Sequence, residues 1–256
     1  MPNANTQPAW PDVTPEAMSP EQMALAALRA EIDSVDDQLL ALFQRRLAIA
    51  AKVGQAKDAP HGPHTKLRPD REQTVLTRML DQAEPGNAEA VSGLWREIVG
   101  WGLARQGQLQ VQVWAPTDPT RAFDGARHRF GMAAAIRMVR DPQAALAFAA
   151  EGKGVAVLAV NTDDPWWVGL RRDWSSLSVF DGFGQAGGQP TALAIGKIDP
   201  AALPKGRSVI VTAGGDAGDG GGARRWGLNT HHGWTLALTD AALTPGDAEG
   251  CVGAIG

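Results

Sequence analysis

The sequence predicts a multidomain chain, an all-α domain followed by an α/β or α+β domain, and three observations carry that reading. The 256 residues suit two modest domains of roughly 100 to 150 residues each. Glycine divides the chain, with 7 of the 30 in residues 1–110 and the rest beyond. Apolar residues recur at steps of three and four in the first part and in short runs between turn residues in the second. The expected divisions are a disordered leader over 1–18, a helical domain over 19–108 and an α/β domain over 109–256.

Composition excludes several classes. Lys+Arg number 24 against 28 Asp+Glu, a formal net charge of −4, so no general basic field exists to grip nucleic acid or an anionic membrane. The single Cys251 leaves no internal disulfide and no cysteine-built zinc site, and reads as a small buried residue in a reducing compartment. No stretch of about 18 apolar residues occurs and the start lacks a signal-peptide pattern, so a cytoplasmic protein is expected.

Ser19-Pro20-Glu21-Gln22 is a helix start with a capping box. The apolar series Leu28, Ile32, Val35, Leu39, Leu42, Ile49, Val53 then predicts a helix over 21–57, about 55 Å long at 1.5 Å per residue. A second helix is expected over 69–83, with Val75, Leu76, Met79 and Leu80 inward. A third, capped by Asn87, runs to about Gln106 with Val91, Leu94, Trp95, Ile98 and Trp101 as its apolar set. Two short helices cannot cover so long a stripe, which predicts an intertwined homodimer.

Polar groups interrupt these stripes. Continuing Ile32 and Leu39 by sevens reaches Arg46; Lys57 lies eleven residues on, about 20° out of phase at 100° per residue. Glu72 continues the stripe of the second helix, and Gln106 that of the third. A solvated face with snorkelling stems would account for any one of them. Four at seam positions on three helices point instead to mutual pairing or an anionic ligand, because burying them unpaired costs several kcal/mol.

The segments LRAEIDSVDDQLLALFQRRLAIAAKVGQAK, RPDRE and LWREIVGWGLARQ, within 25–106, resemble the all-helical class of chorismate mutase. That resemblance implies a domain-swapped homodimer that binds chorismate, releases prephenate and needs no cofactor or metal. It makes Arg29 a residue supplied to the partner's site, Arg46 a same-chain arginine, and Lys57 the donor to the ether oxygen and a carboxylate. Arg71 and Glu72 match the family's Arg-Glu pair, and Gln106 its terminal glutamine. Catalysis would rest on Lys57, Gln106 and Arg46, with Arg29, Arg71 and Glu72 completing the binding set. Two positions depart: Gly102 stands where well-known members carry serine, and Arg68 where an acidic residue occurs in others.

Beyond residue 108 the expected order is a strand at QLQVQVWA, a helix at 121–131, a strand near AAIRMV, a helix at PQAALAFAAEG and a strand at GVAVLAV. Further strands follow at LSVF, TALAIG, SVIVTA, WTLAL and VGAIG. This region faintly resembles a prephenate dehydratase, but the Thr-Arg-Phe of that family is Thr191-Ala192-Leu193 here, which predicts a degenerate, ligand-binding or structural domain. His61 and His64 lack acidic partners, and the GGDAGDGGG run lacks a phosphate-loop ending. Trp166-Trp167 beside Arg171 and Arg172 reads as a buried pair on an amphipathic helix or a small-anion site, and His231-His232 is indecisive. Three functions compete: a chorismate mutase, a bifunctional mutase/dehydratase, and a non-catalytic small-anion-binding regulator.

Overall fold

A computed structural model describes residues 19–57, 66–184, 188–214, 223–247 and 249–256, excepting the side chain of Lys57. The expected leader 1–18, the His61/His64 loop and residues 215–222 of the glycine-rich run lie outside the described residues. The chain divides into two units, the first ending at Arg45 and the second running from Arg46 to Gly256.

Helix α1 spans Pro20–Lys57 and starts on the expected box: Ser19 N donates to Gln22 Oε1 at 2.7 Å and Gln22 N to Ser19 Oγ at 3.2 Å. In the first unit Met23, Leu25, Leu28, Ile32, Val35, Leu39, Leu40 and Leu42 are all exposed, Leu42 at 61%. In the second unit Ile49 and Val53 continue that exposed stripe.

Helices α2 (Pro69–Leu80) and α3 (Ala88–Ala104) are each slightly shorter than expected, ending in turns. Asn87 occupies the N-cap position of α3, but its side chain makes no capping bond. Of the apolar set of α3, Leu94 and Trp101 are exposed.

The remainder builds a nine-stranded mixed sheet in the order β2-β1-β3-β5-β4-β9-β6-β8-β7. Strand β1 (Gln110–Trp114) lies between parallel β2 (Ala135–Met138) and β3 (Val155–Ala159). Helix α4 (Pro119–Phe130) connects β1 to β2, and α5 (Pro142–Ala150) connects β2 to β3. Because the two crossovers run in opposite directions across the sheet, right-handed connection sends the helices to opposite faces. The cores follow suit: Ala122, Ala126 and Phe130 of α4 join one buried cluster, and Ala145, Leu146 and Ala149 of α5 join the other.

Strands β5 (Ala192–Gly196) and β4 (Ser178–Phe183) extend this half with antiparallel pairing. The far edge is β6 (Arg207–Ala213), β8 (Trp234–Thr239) and β7 (Arg225–His231). Between the halves runs β9 (Cys251–Ile255), antiparallel to β6 and parallel to β4. Strand β7 is absent from the sequence reading, because in RWGLNTH the alternation is limited to Trp226 and Leu228 and no apolar run occurs. It pairs with β8 through a hairpin whose central residues His232 and Gly233 have φ of 48° and 76°, the positive pair that such tight turns require.

Trp166 and Trp167 lie on a 3-10 helix, Trp166–Arg171, and are buried edge-to-face at 5.8 Å. Trp166 Nε1 donates to Ala159 O at 2.8 Å, so the pair is core rather than a stacking platform.

Cys251 is buried, and burial pushes its thiol up to about 11. The nucleophilic thiolate is therefore scarce at pH 8. A thiol reagent at that pH should modify native protein at least tenfold more slowly than protein unfolded in guanidinium; equal rates would contradict the packing around β9.

Candidate functional site

Within the second unit, the C-terminal part of α1 meets α2 and α3 around an open cleft of about 590 Å³, within the range of small-molecule sites. Among the described residues its lining holds Arg46, Lys66, Arg68, Arg71 and Arg78 but only one carboxylate, Glu72. A chain of net negative charge thus concentrates cations at one place, an arrangement that attracts a small polyanion.

Arg46 projects from α1 and donates Nη1 to Ile98 O at 2.9 Å while lying 5.1 Å over the Trp95 ring. Burial pulls its guanidinium below the ordinary arginine range, the expected cost of desolvating a cation without a carboxylate partner. The room comes from Gly102, where an added Cβ would stand 3.1 Å from Arg46 Nη1. The departure from serine at this position is thus the space in which the arginine lies.

Gln106 falls just beyond the end of α3, where its backbone N bonds Leu103 O at 2.9 Å. Its amide is weakly engaged, with Nε2 donating to Gly102 O at 3.3 Å and Oε1 buried without a partner. Lys66 donates to Gln106 O. Arg68 is committed to Asp70 through Nε–Oδ1 at 2.9 Å and Nη2–Oδ2 at 2.7 Å.

Glu72 is the group the structure treats differently from expectation. It lines the cleft but also a second cavity with Trp95, Arg96, Arg129 and Asp181. Its Oε2 pairs with Arg129 Nη2 of α4 at 2.9 Å, and Arg129 Nε bonds Asp181 of β4. Asp181 is delivered across a β-bulge between Val179 and Asp181, so Phe180 packs in the α4-side cluster and the next residue also meets α4. Burial lowers the Arg129 guanidinium, and Glu72 and Asp181 outweigh it, holding it above the usual range. Nearby, burial and then Arg129 pull Arg96 down. Four buried polar atoms without partners belong to residues lining one or both of these cavities: Glu72 Oε1, Trp95 Nε1, Arg96 Nε and Gln106 Oε1. Buried groups of this kind call for a partner such as water or a ligand.

Of the six residues singled out from the sequence, Arg46, Arg71, Glu72 and Gln106 line one cleft. Lys57 ends α1, but its side chain lies outside the described residues. Arg29 is an exposed residue of the first unit. The sequence reading missed Lys66 and Arg78. Arg78 was findable, since Arg71, Val75 and Arg78 share a helix face at i, i+4 and i+7; Lys66 follows an aperiodic loop that carries no such signal.

Elsewhere, Thr191 immediately precedes β5 and lines a crevice with Thr117, Asp118, Arg121 and Asn161 beyond the carboxyl ends of β1 and β3. Ala192 and Leu193 are buried in the sheet cores.

Residues 28–107 match the family model of chorismate mutase type II. The bifunctional chorismate mutase/prephenate dehydratase of Pseudomonas aeruginosa is 32% identical over 130 residues, covering 49% of this chain and 34% of that protein. Its counterpart in Stutzerimonas stutzeri is 31% identical over 131 residues, covering 48% and 33%. That of Escherichia coli K12 is 33% identical over 100 residues, covering 38% and 25%. The chain thus spans about a third or less of the length of these relatives. No solved structure matches the chain.

Gly54 lets α1 approach the residue just past α3, since an added Cβ would stand 2.9 Å from Gln106 Cα. Helix propensity alone would make Gly54→Ala stabilising by about 1 kcal/mol. A backbone clash reverses the sign, so we expect about 1–3 kcal/mol of destabilisation, read as a lowered denaturant midpoint; a raised midpoint would contradict the packing.

Proposed function

We propose that this chain is a chorismate mutase, an isomerase rearranging chorismate to prephenate in aromatic amino-acid biosynthesis. The observation that carries the reading is the cleft itself, lined among the described residues by five cations, of which Arg68 is paired with a carboxylate outside it, against one carboxylate, and built by the residues that match the mutase family.

The rearrangement is unimolecular and pericyclic, so it needs no nucleophile or proton transfer. The protein has to hold the enolpyruvyl arm over the ring and stabilise negative charge growing on the breaking ether oxygen. Arg46 and Arg71, with Arg29, would clamp the two carboxylates, a task suited to planar, always-charged forks. Lys57 and Gln106 would donate to the ether oxygen, where charge develops only in the transition state. The weak bond from Gln106 Nε2 to Gly102 O leaves that donor available at little cost. Glu72 would accept from the ring hydroxyl.

The acting unit would be a homodimer through the helical domain, 19–108, with 109–256 as the second domain. Supporting this, eight large apolar side chains of α1 in the first unit are exposed, at roughly 1.5–3 kcal/mol each if buried. Association across a two-fold axis would cover identical stripes at once, and Arg29 would serve the partner's cleft. Among the described residues no helix is long and apolar enough to cross a membrane. A cytoplasmic enzyme with neither membrane nor nucleic-acid partner is the corresponding proposal. The relatives' names favour one second reading, a bifunctional mutase/dehydratase; Ala192, where the dehydratase motif has arginine, weighs against it.

Incubation with chorismate and separation of products decides among these. Prephenate alone supports the mutase, phenylpyruvate the bifunctional enzyme, and unchanged chorismate refutes both. Arg46→Ala should lower kcat/KM by 10²–10³, the usual loss for a fixed electrostatic donor, with the fold retained. An unchanged value would remove Arg46 from the site.

Arg29→Ala and Lys57→Ala chains, co-refolded in equal amounts, should regain about a quarter of wild-type turnover. In mixed dimers one cleft then carries both lesions and the other neither; this assumes random mixing and independent sites. Recovery no higher than that of the parents would rule out a partner-supplied Arg29.

A further inference from the structure

The buried guanidinium of Arg129 stands between two carboxylates drawn from separate parts of the second unit. Glu72 comes from α2, which lines the cationic cleft, and Asp181 from the bulge of β4, which does not. Arg96 lies close enough for Arg129 to help depress it, and Arg96, Arg129, Glu72 and Asp181 together line the smaller cavity. Glu72 uses only one oxygen in this arrangement. Oε2 is held at 2.9 Å, while Oε1 is buried with no partner on a residue that also lines the cleft. Surrounding contacts remove the remaining freedom: Gln73 exchanges two hydrogen bonds with Lys205 at 2.6 and 2.8 Å. The Glu97 carboxylate accepts from Met132 N at 3.1 Å, just past α4. Gly100 approaches so closely that an added Cβ would lie 2.6 Å from Phe130 O.

We infer that Arg129, a residue of the α/β region, is a positioning residue of the mutase cleft, clamping one oxygen of Glu72 and so fixing that carboxylate in the wall where the cleft would receive the ring hydroxyl of chorismate. This rests on the mutase reading above. An acceptor fixed in advance binds substrate without first losing side-chain freedom, and because the hydroxyl is bound alike before and during the rearrangement, the effect falls on KM rather than kcat.

The test uses the full-length chain. Arg129→Leu with Asp181→Leu removes a charge pair together and avoids leaving Asp181 stranded. Arg129→Gln is a second route that keeps a polar side chain while losing the charge. With cooperative melting retained, each should raise KM for chorismate about tenfold and change kcat less than threefold. A merely structural role would reduce the folded fraction, lowering apparent kcat and leaving KM unmoved. In a Glu72→Ala background the same substitutions should change KM less than twofold. Wild-type KM in either folded variant, or an undiminished rise without Glu72, overturns the inference while the mutase reading stands. Wild-type chain that leaves chorismate unchanged overturns both.

Discussion

Arg129 is out of water, and a guanidinium in that position is tolerated only while carboxylates face it. Much of the second unit is arranged around that requirement. The bulge in β4 turns Asp181 toward α4, and α2 is anchored so that Glu72 reaches the same point. The helical pair is thereby tied to the sheet through charge as well as through the apolar contacts of Leu67 and Leu103. On the other side of α2 the balance is deliberately incomplete. Arg46 has a carbonyl and an indole face for neighbours, and Arg71 and Arg78 look into the same opening. One carboxylate, Glu72, stands at the boundary between the neutralised cluster and the unneutralised cleft.

This division explains what could be read from the sequence. A charge interrupting an apolar stripe is a local signal, and it located Arg46, Glu72 and Gln106 because helical periodicity relates residues a few turns apart. The capping box at Ser19 and the alternation of strand and helix after residue 108 are legible for the same reason. The partner of Glu72 was not legible. Arg129 sits 57 residues later on a helix of its own, and the bulge that brings Asp181 beside it depends on the pairing of two strands. Lys66 is near the cleft in space because α3 returns there, a fact no window of sequence contains.

The departures from the family pattern have similar local readings. Gly102 is not a lost hydrogen bond alone; it is the space in which Arg46 lies. Arg68, unexpected in its place, is held by its neighbour Asp70 and leaves the cleft's other arginines uncommitted to it. Gly54 and Gly102 therefore allow close approaches, to Gln106 and to Arg46, from two different helices, a packing role that propensity scales assign to no glycine.

Strand β9 has a consequence for how the sheet assembles. Among the described residues, β2-β1-β3-β5-β4 on one side and β6-β8-β7 on the other are joined by strand pairing only through it. Each side can form from contacts nearer in sequence, whereas the bridge joins β4 to a strand more than seventy residues downstream. Such closure is slow relative to hairpin formation. The two halves should therefore become protected from hydrogen exchange before the seam does, and during that interval the exposed edges of β4 and β6 are open to pairing with another molecule. Concentration during refolding, rather than the stability of either half, then governs how much of the chain reaches the native sheet.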